Sequence, residues 1–179
     1  MNKKNILNIG GGIGGIPSGY SSEEWNHTLL DIDPKVKPDI LCDAKDLNLI
    51  DTYDCVHIAH TLEHFYKHDI HIVLTNIYNC LKIGGYIEVI VPDLKELIIK
   101  LANSSLDIND VYYRTKEGLP ITYHDVIYGW DIAMSVGNLF YAHKCGFTPL
   151  SMCVALNNAK FKDVKITSDS SNIIAIGYK

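Results

Sequence analysis

Two short apolar runs near the start of the chain end in residues suited to a nucleoside. Leu7-Asn8-Ile9 leads straight into Gly10-Gly11-Gly12-Ile13-Gly14-Gly15, and Thr28-Leu29-Leu30 ends in Asp31. Gly10, Gly12 and Gly15 satisfy G-x-G-x-x-G, while Gly10, Gly12 and Gly14 satisfy G-x-G-x-G. Glycines let a backbone turn tightly and come close to a ligand. An acid at the tip of the next strand can accept hydrogen bonds from ribose hydroxyls. Asp33 shares a face with Asp31 if that strand persists. A third short run, Asp39–Leu41, is followed by Cys42-Asp43-Ala44, where Asp43 can accept from an adenine amino group. This chemistry predicts a nucleoside-cofactor site at the carboxyl edge of a parallel sheet.

Other groups compete for attention. His60-Thr61-Leu62-Glu63-His64 matches H-x-x-E-H, a zinc-hydrolase pattern. Such chemistry needs both histidines on one face of a helix, with the glutamate as base. Here His60 ends a predicted strand, so the two imidazoles are expected to splay. No metal is expected, and Glu63 and His64 read as residues tying down the start of the next helix. Tyr112-Tyr113-Arg114-Thr115-Lys116 matches the Y-x-x-x-K of short-chain dehydrogenases, but it lies in a polar, irregular stretch and reads as coincidence. A later segment is rich in His, Tyr and Trp: His124, Tyr128, Trp130 and His143. It must leave the core over the carboxyl ends of the strands, the edge at which open α/β sheets bind ligands.

Periodicity supplies the elements that position these groups. Asn5–Ile9, Thr28–Leu30, Asp39–Leu41, Tyr53–Ala59 and Tyr86–Val91 read as buried strands. Asp69–Leu81 carries Ile70, Val73, Leu74, Ile77 and Leu81 at helical spacing and stops at Gly84-Gly85. Asp93–Leu101, His124–Val136 and Pro149–Ala159 read as helices, with 102–122 unassigned. Phe161–Thr167 and Ile173–Tyr178 are expected to pair antiparallel at the sheet edge. Strands alternating with helices predict a parallel α/β sheet with helices on both faces.

The chain has 179 residues, so one domain spanning 1–179 is expected, with 93–150 as a cap on the substrate side. Net charge is −5 and no Lys/Arg block stands out, which argues against nucleic acid as a partner. No apolar run approaches the length of a membrane span. The five cysteines form no C-x-x-C pair and read as reduced residues of a cytoplasmic protein.

Taken together, these blocks resemble the class I S-adenosylmethionine (SAM)-dependent methyltransferases. Leu7–Gly15, Leu30–Pro34 and Asp39–Ala44 carry the resemblance, with Tyr53–His64 and Leu81–Leu94 more specific than the glycines. The tail, from Tyr128-Gly129 through Asn138 and His143–Thr148, resembles a subgroup of small bacterial predicted methyltransferases often found near surface-polysaccharide genes. The resemblance implies a Rossmann-like seven-stranded sheet of order 3-2-1-4-5-7-6 with the last strand antiparallel. It implies SAM as cofactor and S-adenosylhomocysteine (SAH) as product. Gly10, Gly12 and Gly14 would face the methionine part, Asp31 the ribose, and Asp43 or Ala44 the adenine, with His60 near the methionine end.

The methyl acceptor is expected to be a small molecule, such as a sugar-type hydroxyl or an amine. His143, His124 and His60 are the candidate general bases, and Tyr128 and Trp130 the candidate substrate contacts. Two departures matter: Asn8 replaces an acid usual in the family, and Gly15–Asn26, containing Pro17, leaves little room for a first helix. These support an alternative, a SAM-binding or degenerate module without catalysis. A NAD-dependent oxidoreductase and a zinc hydrolase are further rivals. Association into a homo-oligomer is compatible with the exposed aromatics.

Overall fold

A computed structural model of the chain describes residues 2–115, 117–169 and 171–179. Lys116 of the Y-x-x-x-K match lies outside the described residues. In chain order the elements are β1 (Lys4–Ile9), β2 (Trp25–Asp31), β3 (Ile40–Leu41), β4 (Tyr53–Ala59), α1 (Ile70–Cys80), β5 (Leu81–Pro92) and α2 (Leu94–Ala102). Then follow β6 (Val111–Arg114), β7 (Pro120–Thr122), α3 (Tyr123–Tyr128), α4 (Asp131–Ser135), α5 (Pro149–Asn158), β8 (Lys162–Ser168) and β9 (Asn172–Tyr178).

Seven strands form one sheet in the order β3-β2-β1-β4-β5-β9-β8. Counting only these seven, this is 3-2-1-4-5-7-6, as the family resemblance implied. β1 to β5 run parallel, and β9 enters antiparallel between β5 and β8. Both faces of the central strands are covered, so Leu7, Ile9, Val56 and Ile58 on one face and Ile6 and Cys55 on the other are fully or almost fully buried. α1 buries Ile70, Val73, Leu74, Ile77 and Cys80 along one stripe and packs beside α5 on the same face. Each such aliphatic side chain contributes about 1.5–3 kcal/mol on burial.

The opposite face is built differently. The segment with little room for a first helix forms none: residues 10–24 cross from β1 to β2 in turns and bends. Pro17 and the glycines on both sides of it disfavour a helix there. The crossover instead lays Tyr20 over a small cluster of Ile6, Trp25, Cys55 and Tyr86. Tyr20 and Trp25 meet edge to face at 5.2 Å.

Between β5 and α5 the chain forms a second packing unit. Leu97 of α2 packs with Ile121, Tyr123 and Val126, over the hairpin β6–β7. The predicted single helix 124–136 is two helices, α3 and α4. Gly129 between them takes φ +105°, and a Cβ there would collide with the Tyr141 carbonyl. An antiparallel bridge from Gly129 to Ala142 closes the approach. Thus 138–146 is drawn back across the carboxyl edge of the sheet. All five cysteines are free. No helix among the described residues is long and apolar enough to cross a membrane.

Candidate functional site

A cavity of about 230 Å³ opens at the carboxyl ends of β1, β2 and β4. Its floor is the turn after β1, in which Gly10 and Gly12 both adopt positive φ. A Cβ on Gly10 would fall on the Thr61 side chain, and one on Gly11 would fall on the Asn8 amide. Asn8 is 4% exposed and its amide donates to Gly15 O at 3.3 Å, so it props the turn from below. Thr61 Oγ1 donates to Ala59 O at 3.0 Å and Ile9 O at 3.3 Å, tying the ends of β4 and β1 together.

Asp31 ends β2 with its carboxylate divided between two backbone amides. Oδ2 accepts from Gly12 N at 3.2 Å and Oδ1 from Asp33 N at 2.9 Å. Asp33 then caps the short 3₁₀ turn at Pro34–Val36. Asp43 does the same for the turn Ala44–Asp46, accepting from Lys45 N at 2.9 Å. Asp31, Asp33, Asp43 and Asp69 line the cavity against two lysines, Lys45 and Lys144, so its wall is net acidic. Val36, Cys42, Ala44 and Phe65 supply an apolar portion.

His60 turns out of β4 at φ +50°, a left-handed conformation uncommon outside glycine, though histidine is among the side chains enriched there. Its amide still donates to Ile90 O at 2.8 Å, so the ladder to β5 continues while the ring turns aside into the cavity. Behind it lies an arrangement built from segments far apart in sequence. Glu63 is 1% exposed, and neither carboxylate oxygen has a hydrogen-bond partner. Its backbone carbonyl accepts from Lys144 N at 2.8 Å and Cys145 N at 3.2 Å, which fixes the returning segment over it. The rings of His64 and His143 meet at 4.8 Å between centroids. One ligand atom each from Glu63, His64 and His143 falls within 4.8 Å of the others. Burial holds His143 below the usual imidazole range, against the pull of the Glu63 carboxylate. Its Nδ1 lies 3.0 Å from Val126 O, which places the ring proton on Nδ1 and leaves Nε2 free. Burial and Glu63 push the Cys145 thiol up to about 11.

The residues singled out from sequence fall into three places. Gly10, Gly12, Asp31, Asp43, Ala44 and His60 line the cavity together. Gly14 sits further along the turn, outside the lining. His143 lies outside that lining, in a closely packed group with Glu63 and Cys145. His124 packs its ring at 4.9 Å from Tyr128 in α3, and neither residue lines the cavity. Trp130 stands behind the lining, edge-on to Tyr141 at 5.7 Å. Asn138, Phe140, Tyr141 and Lys144 line the cavity without having been singled out. Their only sequence signal was membership of an aromatic-rich segment destined for that edge. Buried Asn138 Oδ1 and Trp130 Nε1 also lack partners. Among buried polar atoms such orphans are rare, and each calls for an explanation.

Sheet order, glycine turn and acidic strand tips define a class I SAM-dependent methyltransferase fold. The methyltransferase-domain family profile matches residues 2–166, and the chain belongs to that family. Solved structures agree on the fold. A SAM-dependent methyltransferase from Archaeoglobus fulgidus is 17% identical, with 99% of this chain and 86% of that one covered at a TM-score of 0.62. One from Methanosarcina mazei is 16% identical, with 100% and 93% covered at 0.60. The 1,6-didemethyltoxoflavin-N1-methyltransferase of Burkholderia thailandensis, solved with 1,6-didemethyltoxoflavin and SAH, is 14% identical, with 99% and 71% covered at 0.60. The chain spans 50–63% of the length of three other matched structures, PigF with SAH among them. No curated protein matches the sequence.

Proposed function

We propose that the protein transfers a methyl group from SAM to a hydroxyl or amine of a small molecule. The observation that carries this reading is the net-acidic cavity at the tips of β1, β2 and β4. Its glycine turn admits no side chain at Gly10 or Gly11. SAM carries a sulfonium and an amino group, so a wall of four carboxylates and two lysines suits it. The same wall suits the pyrophosphate of NAD poorly.

In this reading Asp31 and Asp33 hold the ribose hydroxyls, and Val36, Cys42 and Ala44 pack on the adenine. The turn Gly10–Gly12 presents backbone to the amino-acid part. When bound, SAM supplies an activated methyl group on a good leaving group. The protein's share is then alignment of the acceptor, an effect worth up to about 7–11 kcal/mol in favourable cases. Residues 93–150 form the acceptor side, with Phe140 and Tyr141 as its cavity-facing surface. His60, half-exposed in the cavity, is the histidine placed to take the acceptor's proton. His143 does not line that space and lies beside Glu63 instead.

Calorimetric titration with SAM, SAH and NAD tests the reading. Micromolar binding of SAM or SAH and none of NAD is expected. Binding of neither SAM nor SAH would sink the transferase and leave a module that has lost its cofactor.

A further inference from the structure

The geometry points to a divalent transition-metal site formed by Glu63, His64 and His143, at the seam between the sheet edge and the returning segment. Three observations converge. Glu63 is a buried carboxylate with no hydrogen bond to either oxygen. An isolated ionised carboxylate away from water is costly unless it is paired or binds a metal. Its nearest cationic candidate, His60 Nδ1, stands 3.6 Å from Oε1, too far for a hydrogen bond.

The second observation is the ligand set. Two imidazoles and one carboxylate are the donors that hold zinc and similar first-row ions. The three donor atoms lie within 4.8 Å of one another. Donors at about 2.0–2.2 Å from one ion in a tetrahedral array are roughly 3.3–3.6 Å apart, so the widest spacing must contract by a little over an ångström on binding.

The third is the state of the histidines. His143 gives its Nδ1 proton to Val126 O at 3.0 Å, the outer contact that fixes the tautomer of a ligating histidine, and its Nε2 is left as the donor. His64 has Nδ1 3.1 Å from Ala142 O and Nε2 3.1 Å from His60 O. A neutral imidazole has one N–H, so one of these contacts sets a ring lone pair against a carbonyl lone pair. An ion at that nitrogen takes the place of the carbonyl, since 3.1 Å leaves no room between the two, while the other carbonyl keeps the remaining N–H. The H-x-x-E-H spacing therefore reads differently from a zinc hydrolase. His60 is not a ligand on a shared helix face, and the third ligand comes from His143 on the returning segment.

Metal binding itself does not rest on the methyl-transfer reading. The ion's use does: beside the cavity it would hold an oxygen-bearing acceptor against the methyl donor. The test therefore omits SAM. Chelator-stripped protein is titrated with Zn²⁺ and Mg²⁺ by calorimetry and with Co²⁺ by visible absorbance. One tightly bound equivalent of Zn²⁺, no heat from Mg²⁺, and an intense low-symmetry Co²⁺ spectrum are expected. Glu63→Gln and His143→Ala, each checked for folding by circular dichroism, should weaken Zn²⁺ by more than the roughly 10–100-fold that outer-shell losses cost. Absence of stoichiometric binding to the wild type overturns the site, as does binding that both variants leave intact. If a variant does not fold, the wild-type Co²⁺ spectrum decides: the weak spectrum of an aquo ion overturns the site.

Discussion

The Asp31 carboxylate accepts the Gly12 amide at 3.2 Å, so the acid at the tip of β2 and the glycine turn after β1 hold each other in place. One side chain thus shapes the turn and faces the cavity. Asp31→Ala should weaken SAM binding about 10–100-fold, the worth of roughly 1.5–3 kcal/mol for a charge-assisted hydrogen bond. Asp31→Asn keeps the size and can still accept from Gly12, so it should lose less. Calorimetry measures both. Equal affinity of wild type and Asp31→Ala would remove Asp31 from the ribose site.

Asn8 fills the space beneath Gly11 that a methyl group would need. Gly11→Ala should therefore destabilise the fold by about 1–3 kcal/mol, the usual cost of overpacking. Asn8→Ala opens that space at the expense of the bond to Gly15 O. In the double variant the Gly11→Ala penalty should shrink, because contacting residues do not add. Denaturant unfolding of the four proteins gives the coupling. Additive losses would show that the turn's glycine is required for some reason other than Asn8.

The parts of this fold that were legible from sequence are those whose burial is local. Ile6–Ile9 and Cys55–Ile58 are buried throughout and mostly apolar, broken only by Asn8 and His57, because both faces of the central sheet are covered. The stripe of α1 repeats at helical spacing because one face meets the sheet. β6 escaped notice because Val111, Tyr113 and Arg114 are exposed and leave no alternation to read. The break at Gly129 was hidden because its cause, the Tyr141 carbonyl, arrives from outside the helix. The site divides in the same way. The glycines and Asp31 announce themselves, since their chemistry lies in the turn itself. Tyr141 and Lys144 do not, because only the return of 138–146 across the sheet edge brings them to the cavity. Glu63 read as a residue tying down the next helix in the loop after β4, whereas its burial follows from that same returning segment.

Histidine roles can be separated by turnover. His60 reaches the cavity, while His124 lies against Tyr128 away from it. Once an acceptor is known, His60→Ala should lower kcat by about 10²–10⁴-fold, the range of a positioned base, with SAM affinity little changed. His124→Ala should leave kcat where it is. A kcat that responds to His124 and not to His60 would move the acceptor site to the outer face of α3.

Acid stability tests how the unhelical face is held. Glu88 Oε2 lies 2.7 Å from His57 Nδ1 and accepts the Tyr20 hydroxyl at 3.1 Å, joining β4 and β5 to the crossover that carries the glycine turn. The His57 hydrogen bond holds Glu88 below the ordinary carboxylate range, against burial, with Tyr20 helping. A depressed carboxylate contributes stability that is complete above its unfolded value, about 4.3. That contribution is lost as pH falls through the lower folded value. The Tm of wild type should therefore exceed that of Glu88→Gln near neutrality, and the gap should close in the acid range below about pH 4. Thermal melts of both proteins between neutrality and strong acid measure it. A gap that stays constant into strong acid would mean that Glu88 stabilises this face by shape and not by charge. Loss of SAM affinity in Glu88→Gln, at a pH where the fold holds, would show that the pair also sets the glycine turn through Tyr20.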